Sequence, residues 1–259
     1  GGATWESGPR RAACQAAGVA AFNRCIYLAA TKCKAFEARQ GPCSIASFCD
    51  AGAAQLARRH GRVANRHHRD NLTRVYPPGH YVSSENLLPS LHWAHGVQLV
   101  ALNYQTTDLP MLLNHALFSE QNGGHGYVLK PASVLDGLGE TPEPGPPLTT
   151  MRVAVLSAHF LPKPGGIAGV ESVNPVVVVS VHGHGEDAAA CETGVVKGDG
   201  FAPEWSAEFA FGVRWPDVAI LTFEVFHQDA RRLPGFGLPG LGLPAGRARW
   251  PIASAAFPA

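Results

Sequence analysis

Residues 72–79 read Leu-Thr-Arg-Val-Tyr-Pro-Pro-Gly, and residues 97–106 read Val-Gln-Leu-Val-Ala-Leu-Asn-Tyr-Gln-Thr. Each is a short run rich in Val, Leu and Tyr that stops at turn or polar residues, the signature of a strand in a buried sheet. Working outward, Cys25-Ile-Tyr-Leu-Ala29 and Ser44-Ile-Ala-Ser-Phe48 have the same character. Helical patterns lie between and after these runs. Asp50 to Gly61 opens on a capping Asp, carries Ala53, Leu56 and Ala57 at helical spacing, and stops at a Gly. Arg62 to Asn71 forms a second helical pattern. Asp108 to Gln121, with Met111, Leu112, Leu113 and Phe118, forms a third, and the Asn-Gly-Gly-His-Gly loop at 122–126 ends it. Strand and helix in alternation predict a parallel sheet.

Beyond Asp136 the pattern changes. Residues 137–149 are rich in Gly and Pro and nearly devoid of apolar side chains, which predicts a stiff linker and a domain boundary. After it the period becomes two: in Met151-Arg-Val-Ala-Val-Leu-Ser157, Arg152, Ala154 and Leu156 oppose Val153, Val155 and Ser157. The runs at 175–181, 204–213 and 218–226 follow, joined by Gly- and Pro-rich turns, and predict an antiparallel β-sandwich. The Gly-, Pro- and Leu-rich tail at 235–250 reads as a loop. The expected division is 1–21 unassigned, 22–136 an α/β unit, 137–149 a linker and 150–259 a β-sandwich.

Composition narrows the function classes. The formal charge is +1 over 259 residues, so no overall field attracts nucleic acid, and an anionic ligand must be held locally. Six cysteines at 14, 25, 33, 43, 49 and 191 include no Cys-x-x-Cys pair and read as reduced, intracellular thiols. Neither a transmembrane stretch nor a signal peptide is recognisable. Asn71-Leu-Thr73 matches a glycosylation sequon but reads as an ordinary helix-to-strand junction. His60, His67 and His68 fall on what reads as polar helix surface. His92 and His95 form a His-x-x-His pair lacking the adjacent Glu of a zinc protease, while His182 and His184 read as solvated turn histidines.

Several blocks together resemble the Y region of eukaryotic phosphoinositide-specific phospholipases C. They are Arg-Val-Tyr-Pro-Pro-Gly at 74–79, Ser83-Ser84, Trp93, the run at 97–106, and Asn-Gly-Gly-His-Gly-Tyr-Val-Leu-Lys-Pro at 122–131. The segments beginning at Met151, Asn174, Gly200 and Leu221 resemble the C2 domain that follows in that family. The resemblance implies an α/β plus all-β architecture: the second half of a TIM-type (β/α)8 barrel, then an antiparallel C2 sandwich. A complete barrel of this type needs about 250 residues. The other half is therefore expected to be supplied elsewhere, together with the catalytic histidines and the active-site calcium ligands, and no catalytic residue is expected in this half. The sandwich is expected to stop before its closing strands, leaving it truncated or open at an edge.

Three residues match the family's substrate contacts. Ser47 closes the strand that begins at Ser44 and stands just ahead of the helix capped by Asp50, where free backbone N–H groups suit a ring phosphate. Arg74 and Tyr76 are two apart and face the same way, and Pro77-Pro78-Gly79 leaves both at the strand's C-terminal mouth, where barrel active sites open. Arg offers a planar fork to phosphate and Tyr a flat face to an inositol ring. His80 and Tyr81 occupy the place of a membrane-inserting rim. In the sandwich, Asn174 and Asp229 are what remains of a C2 calcium site, with His227 where another acid is expected, so weak calcium binding is anticipated. The implied activity is hydrolysis of phosphatidylinositol 4,5-bisphosphate to diacylglycerol and inositol trisphosphate, with calcium as cofactor. The implied partners are a phosphoinositide lipid and the membrane surface, on the cytoplasmic side of the membrane. The competing reading is a non-enzymatic phosphoinositide- or partner-binding module.

Overall fold

The computed structural model describes residues 20–22, 24–32, 43–59, 61–79, 84–136, 146–164, 172–228 and 249–258. Four parallel strands, β1 (Ala29–Lys32), β2 (Ser44–Cys49), β3 (Leu72–Tyr76) and β4 (Leu99–Val100), lie side by side in chain order. Helices α1 (Asp50–Arg59) and α2 (Gly61–Asp70) separate β2 from β3, and α3 (Pro89–Trp93) precedes β4. After β4 come α4 (Leu109–Glu120) and α5 (Ala132–Asp136). Successive strand residues point to opposite faces, and the two faces differ sharply. Ala46, Phe48 and Val75 are buried with Ala53 of α1 and Ala64 of α2, and Thr73 is buried beside them. Leu72, Arg74 and Leu99, on the opposite side, are exposed.

Two strands differ from the sequence reading. The apolar run at 25–29 is not itself a strand: Ile26, Tyr27 and Leu28 are exposed and β1 starts at Ala29. The register explains it, because β2 begins at Ser44 opposite Ala29 and offers no ladder to earlier residues. β4 is shorter still, two residues against the four of β1, although the Ala101 N–H donates to the Val75 carbonyl at 2.8 Å.

In the second unit, β5 (Thr149–Ser157) pairs with β8 (Glu204–Val213). A second sheet runs β10 (Arg249–Pro258), β9 (Ile220–Gln228), β6 (Pro175–His182), β7 (Ala189–Glu192), all antiparallel. Val153 and Val155 face inward while Arg152, Ala154 and Leu156 are exposed, as their alternation predicts. Every residue of β6 is buried. Val177, Val179 and Val181 meet Phe211 and Val213, whereas Val176 and Val178 meet Phe226, so the strand reads as an unbroken Val run rather than an alternation.

The end of the sequence departs from expectation. Arg249–Pro258 is a strand, paired with β9 from Gln228 to Ile220, where the sequence reading has none. Its two prolines and three alanines hide it, since both types are depleted in strands. Pro251 sits at a register shift on the outermost strand of this sheet, where a missing N–H is tolerated.

The units meet through α4. Asp108 caps this helix, accepting from the Met111 N–H at 3.2 Å, and Pro110 occupies its first turn. Leu113 and Ala116 pack against Ile220 of β9, with Ala256 of β10 at the margin. Nearby, the Ser133 hydroxyl donates to Asp217 at 3.0 Å. The His95 ring lies 5.8 Å from that of His184, which in turn stacks on Trp215 at 3.9 Å.

Candidate functional site

The open face of the parallel sheet is built by register. Ser47 of β2 lies opposite Arg74 of β3, and Arg74 lies opposite Leu99 of β4, so Ser47 and Arg74 occupy one row across the strands; Lys32 of β1 holds the next register position. Two residues further along β3, Tyr76 lies opposite Cys49. The Arg74 guanidinium carbon sits 5.2 Å from the centre of the Tyr76 ring, within cation–π range. Because Thr73 and Val75 are anchored in the helix-side core, Arg74 and Tyr76 have no choice of face. Arg74 is exposed and Tyr76 half-buried, an arrangement that presents a planar cation and an aromatic face together at the C-terminal end of the strand.

Ser47 is placed differently from the sequence reading in one respect. β2 continues past it to Cys49, and Asp50 begins α1 directly. The Asp50 carboxylate lies 2.8 Å from Nε2 of His92 in α3, so it holds the α1–α3 contact. His80 and Tyr81 lie outside the described residues.

A polar network that the sequence reading missed shapes the same end of the sheet. Asn86 donates to the Asn103 carbonyl at 3.2 Å and to Asp108 at 3.1 Å, and its side-chain oxygen accepts from the Asn103 N–H at 2.6 Å. Asn103 donates back to the Glu85 carbonyl at 3.2 Å. The loop after β3 is thereby stitched to the loop after β4. Its only signal in the sequence is the Asn that ends the apolar run at 97–102.

The histidines are not on polar surfaces. His67 and His68 of α2 are buried, as are His92, His182 and His184; His60 lies outside the described residues. His68 Nδ1 lies 2.6 Å from the His95 carbonyl, and burial pushes its pKa down to about 3. The His68 carbonyl accepts from Gln98 at 2.6 Å and from Lys130 at 2.5 Å, which satisfies the C-terminal end of α2. His182 lies 3.1 Å from the Thr222 hydroxyl, and burial lowers it to about 4. Burial lowers His95 to about 4 as well, with His184 and His92 adding to the effect. These rings are neutral packing elements.

At the loop end of the sandwich, Asn174 is held by hydrogen bonds on both its side chain and its backbone. Its side-chain oxygen accepts from the Gly198 N–H at 2.8 Å and its amide donates to the Gln228 carbonyl at 3.2 Å. Its own N–H donates to Nδ1 of His227 at 3.0 Å, and its carbonyl accepts from the Gln228 N–H at 2.9 Å. Asn174 is a clasp joining three chain segments. Asp229 lies outside the described residues. Among the described residues there is no group of three or more His, Cys, Asp or Glu side chains able to hold a metal, and no helix long and apolar enough to cross a membrane.

Residues 22–133 match the family described as phosphatidylinositol-specific phospholipase C, Y domain, and residues 149–236 match the C2 domain. The chain belongs to the phosphoinositide-specific phospholipases C. It is 40% identical over 191 residues to 1-phosphatidylinositol 4,5-bisphosphate phosphodiesterase delta-3 of Homo sapiens, covering 73% of this chain and 24% of that protein. It is 37% identical over 194 residues to the delta-1 protein of Rattus norvegicus, covering 72% of this chain and 25% of that one. The crystal structure of L. pealei PLC21 superposes with a TM-score of 0.65 over 89% of this chain and 33% of that chain, at 23% identity. The phospholipase C fold, a barrel half followed by an antiparallel C2 domain, is therefore the fold of this chain. The chain spans about a quarter of the length of these curated relatives.

Proposed function

We propose that this chain is the head-group-holding half of an enzyme that hydrolyses phosphatidylinositol 4,5-bisphosphate to diacylglycerol and inositol trisphosphate at the cytoplasmic face of a membrane. The observation that carries this reading is the open row of Ser47 and Arg74 across β2 and β3, with the Arg74 guanidinium held over Tyr76. Arg74 reads ring phosphates by paired N–H donors, Ser47 adds a hydroxyl, and Tyr76 packs on the ring. These residues bind and orient. Proton transfer belongs to histidines outside this half, for the buried rings described above face packing partners rather than the open sheet. The domain division at 22–136, 137–149 and 150–259 belongs to the same proposal, as does a second barrel half that covers the exposed Leu72 and Leu99.

The family resemblance implies a calcium ion that would stabilise developing oxyanions, its ligands lying in the other barrel half. No residue of this half is assigned to that ion, and no step here runs through it.

The test is Arg74→Lys in a complete enzyme containing this half. Lys keeps the charge and loses the planar fork. A hydrogen bond to a charged group contributes roughly 1.5 to 3 kcal/mol, so kcat/KM on the bisphosphate should fall about ten- to a hundredfold. Phosphatidylinositol, which has no ring phosphate, should lose far less. Equal losses on the two substrates would remove Arg74 from the head-group site.

A further inference from the structure

β3 loses its ladder at the mouth of the head-group site. Pro77 and Pro78 follow Tyr76 directly and have no N–H to give. On the other side β4 contributes only Leu99 and Val100, plus the bond from the Ala101 N–H to the Val75 carbonyl. Asn86 takes over where the strands stop. Its side-chain oxygen accepts from the Asn103 N–H at 2.6 Å, and its side-chain nitrogen donates to the Asn103 carbonyl at 3.2 Å. One amide thus meets both backbone groups of a single residue, the exchange that an opposing strand residue makes in a hydrogen-bonded pair.

The surroundings hold that amide in place. Asp108 accepts from the Asn86 side chain at 3.1 Å through one oxygen and from its backbone N–H at 3.3 Å through the other. Asn103 donates to the Glu85 carbonyl at 3.2 Å, and Thr106 donates to the Ser84 carbonyl at 2.8 Å. Ser84 has a φ of 59°, a left-handed conformation that a residue other than glycine keeps only where its neighbours enforce it. Six hydrogen bonds therefore join residues 84–86 to residues 103–108, whereas the strands that lead into them share two register pairs. The mouth is held more by side chains than by the sheet.

We infer that Asn86 is a positioning residue for the head-group site: it replaces the strand pairing that the prolines remove, and so fixes the end of β3 from which Arg74 and Tyr76 face the ligand. The inference rests on the head-group reading proposed above. Asn86 touches no substrate in this scheme and acts through Arg74. Arg74 pairs with Leu99 inside the short ladder, and Tyr76 lies beyond its last pair, Val75 with Val100. A guanidinium meets phosphate through paired N–H donors lying in one plane, so a strand end that is free to twist misaligns the fork while leaving its charge in place. A misplacement of about 1 Å at an orienting group can cost on the order of a hundredfold. The loss should fall on recognition of the ring phosphates and spare a substrate that has none.

The experiment measures kcat/KM of a complete enzyme containing this half on phosphatidylinositol 4,5-bisphosphate and on phosphatidylinositol, with calcium and vesicle composition fixed. The ratio of the two does not depend on how much of a variant is folded, so a merely structural role leaves it unmoved. Asn86→Ala should lower the ratio about tenfold; an unchanged ratio overturns the inference. Should Asn86→Ala be inactive on both substrates, the exchange Asn86→Asp/Asp108→Asn decides. It keeps an oxygen for the Asn103 N–H, rebuilds an amide-to-carboxylate contact, and leaves position 108 able to cap α4, but it removes the donor to the Asn103 carbonyl. A ratio roughly threefold below wild type is expected from it, and a wild-type ratio overturns the inference. In an Arg74→Lys background the Asn86 substitution should change the ratio by less than about twofold, because the fork it aligns is gone; an undiminished effect there also overturns it. Equal losses on the two substrates for Arg74→Lys alone would strike the head-group reading instead, so the two failures are distinct.

Discussion

Lowering the pH from 7.5 to 5.5 should destabilise the chain through buried histidines, of which His68 and His182 are the most enclosed and His95, lowered to about 4, adds in the same sense. His68 is 1% exposed with its pKa near 3, and His182 is 2% exposed with its pKa near 4, both pushed down from 6.5 by burial. A group whose folded pKa is depressed in this way stays neutral in the fold while the unfolded chain takes up a proton. Stability is therefore full above pH 6.5 and falls as the pH drops, until the folded pKa is reached. One unit of that window lies within the range tested, so each histidine removes roughly 1 kcal/mol, and the two together between about 2 and 3 kcal/mol. Glu224, whose carboxyl is pushed up by burial, acts in the opposite sense, so the decisive quantity is a difference between proteins. His68→Asn places an amide where Nδ1 meets the His95 carbonyl and cannot titrate. Urea unfolding at several pH values should give this variant a shallower acid slope, smaller by about 1 kcal/mol across the range. An identical slope in wild type and variant would refute the argument.

Leu113→Ala, at a fully buried position between α4 and β9, should cost about 3 to 5 kcal/mol. It should also uncouple the two units, measured as separate thermal transitions; a single undivided transition would show that the joint lies elsewhere. Calorimetry on the chain should find no micromolar calcium site, and Asn174→Ala should lower stability by about 1 to 3 kcal/mol rather than change any metal response. The purified chain should release no inositol phosphate from bisphosphate vesicles, and calcium-dependent release free of contaminating lipase would contradict the division of labour between barrel halves.

What could be read in advance follows from how locally each feature is specified. The parallel sheet and the sandwich were legible because strand periodicity and turn residues are local. The Arg74 and Tyr76 pair was legible for the same reason, since a two-residue spacing fixes a common face. The histidines were illegible because burial is set by what comes to lie on top. The Arg62 to Asp70 segment is among the most polar in the chain, yet Asn65 donates to the Val134 carbonyl at 3.1 Å and His68 faces the His95 carbonyl. Those partners lie far along the sequence, and no helical period announces them. The Asn86, Asn103 and Asp108 network and the Asn174 clasp are long-range polar contacts of the same kind. β10 was missed for a compositional reason, its alanines and prolines being poor strand formers that are recruited by the exposed edge of β9.

The joint between α4 and β9–β10 also sets a timetable. A ribosome delivers Leu113 and Ala116 well before it delivers Ile220, and later still Ala256. During synthesis the apolar stripe of a finished helix must therefore wait in water for strands not yet made, while the nascent chain grows at about 5 to 20 residues per second. Chaperone capture during translation should accordingly concentrate on α4, in the interval before β9 emerges, and release should coincide with completion of the sandwich.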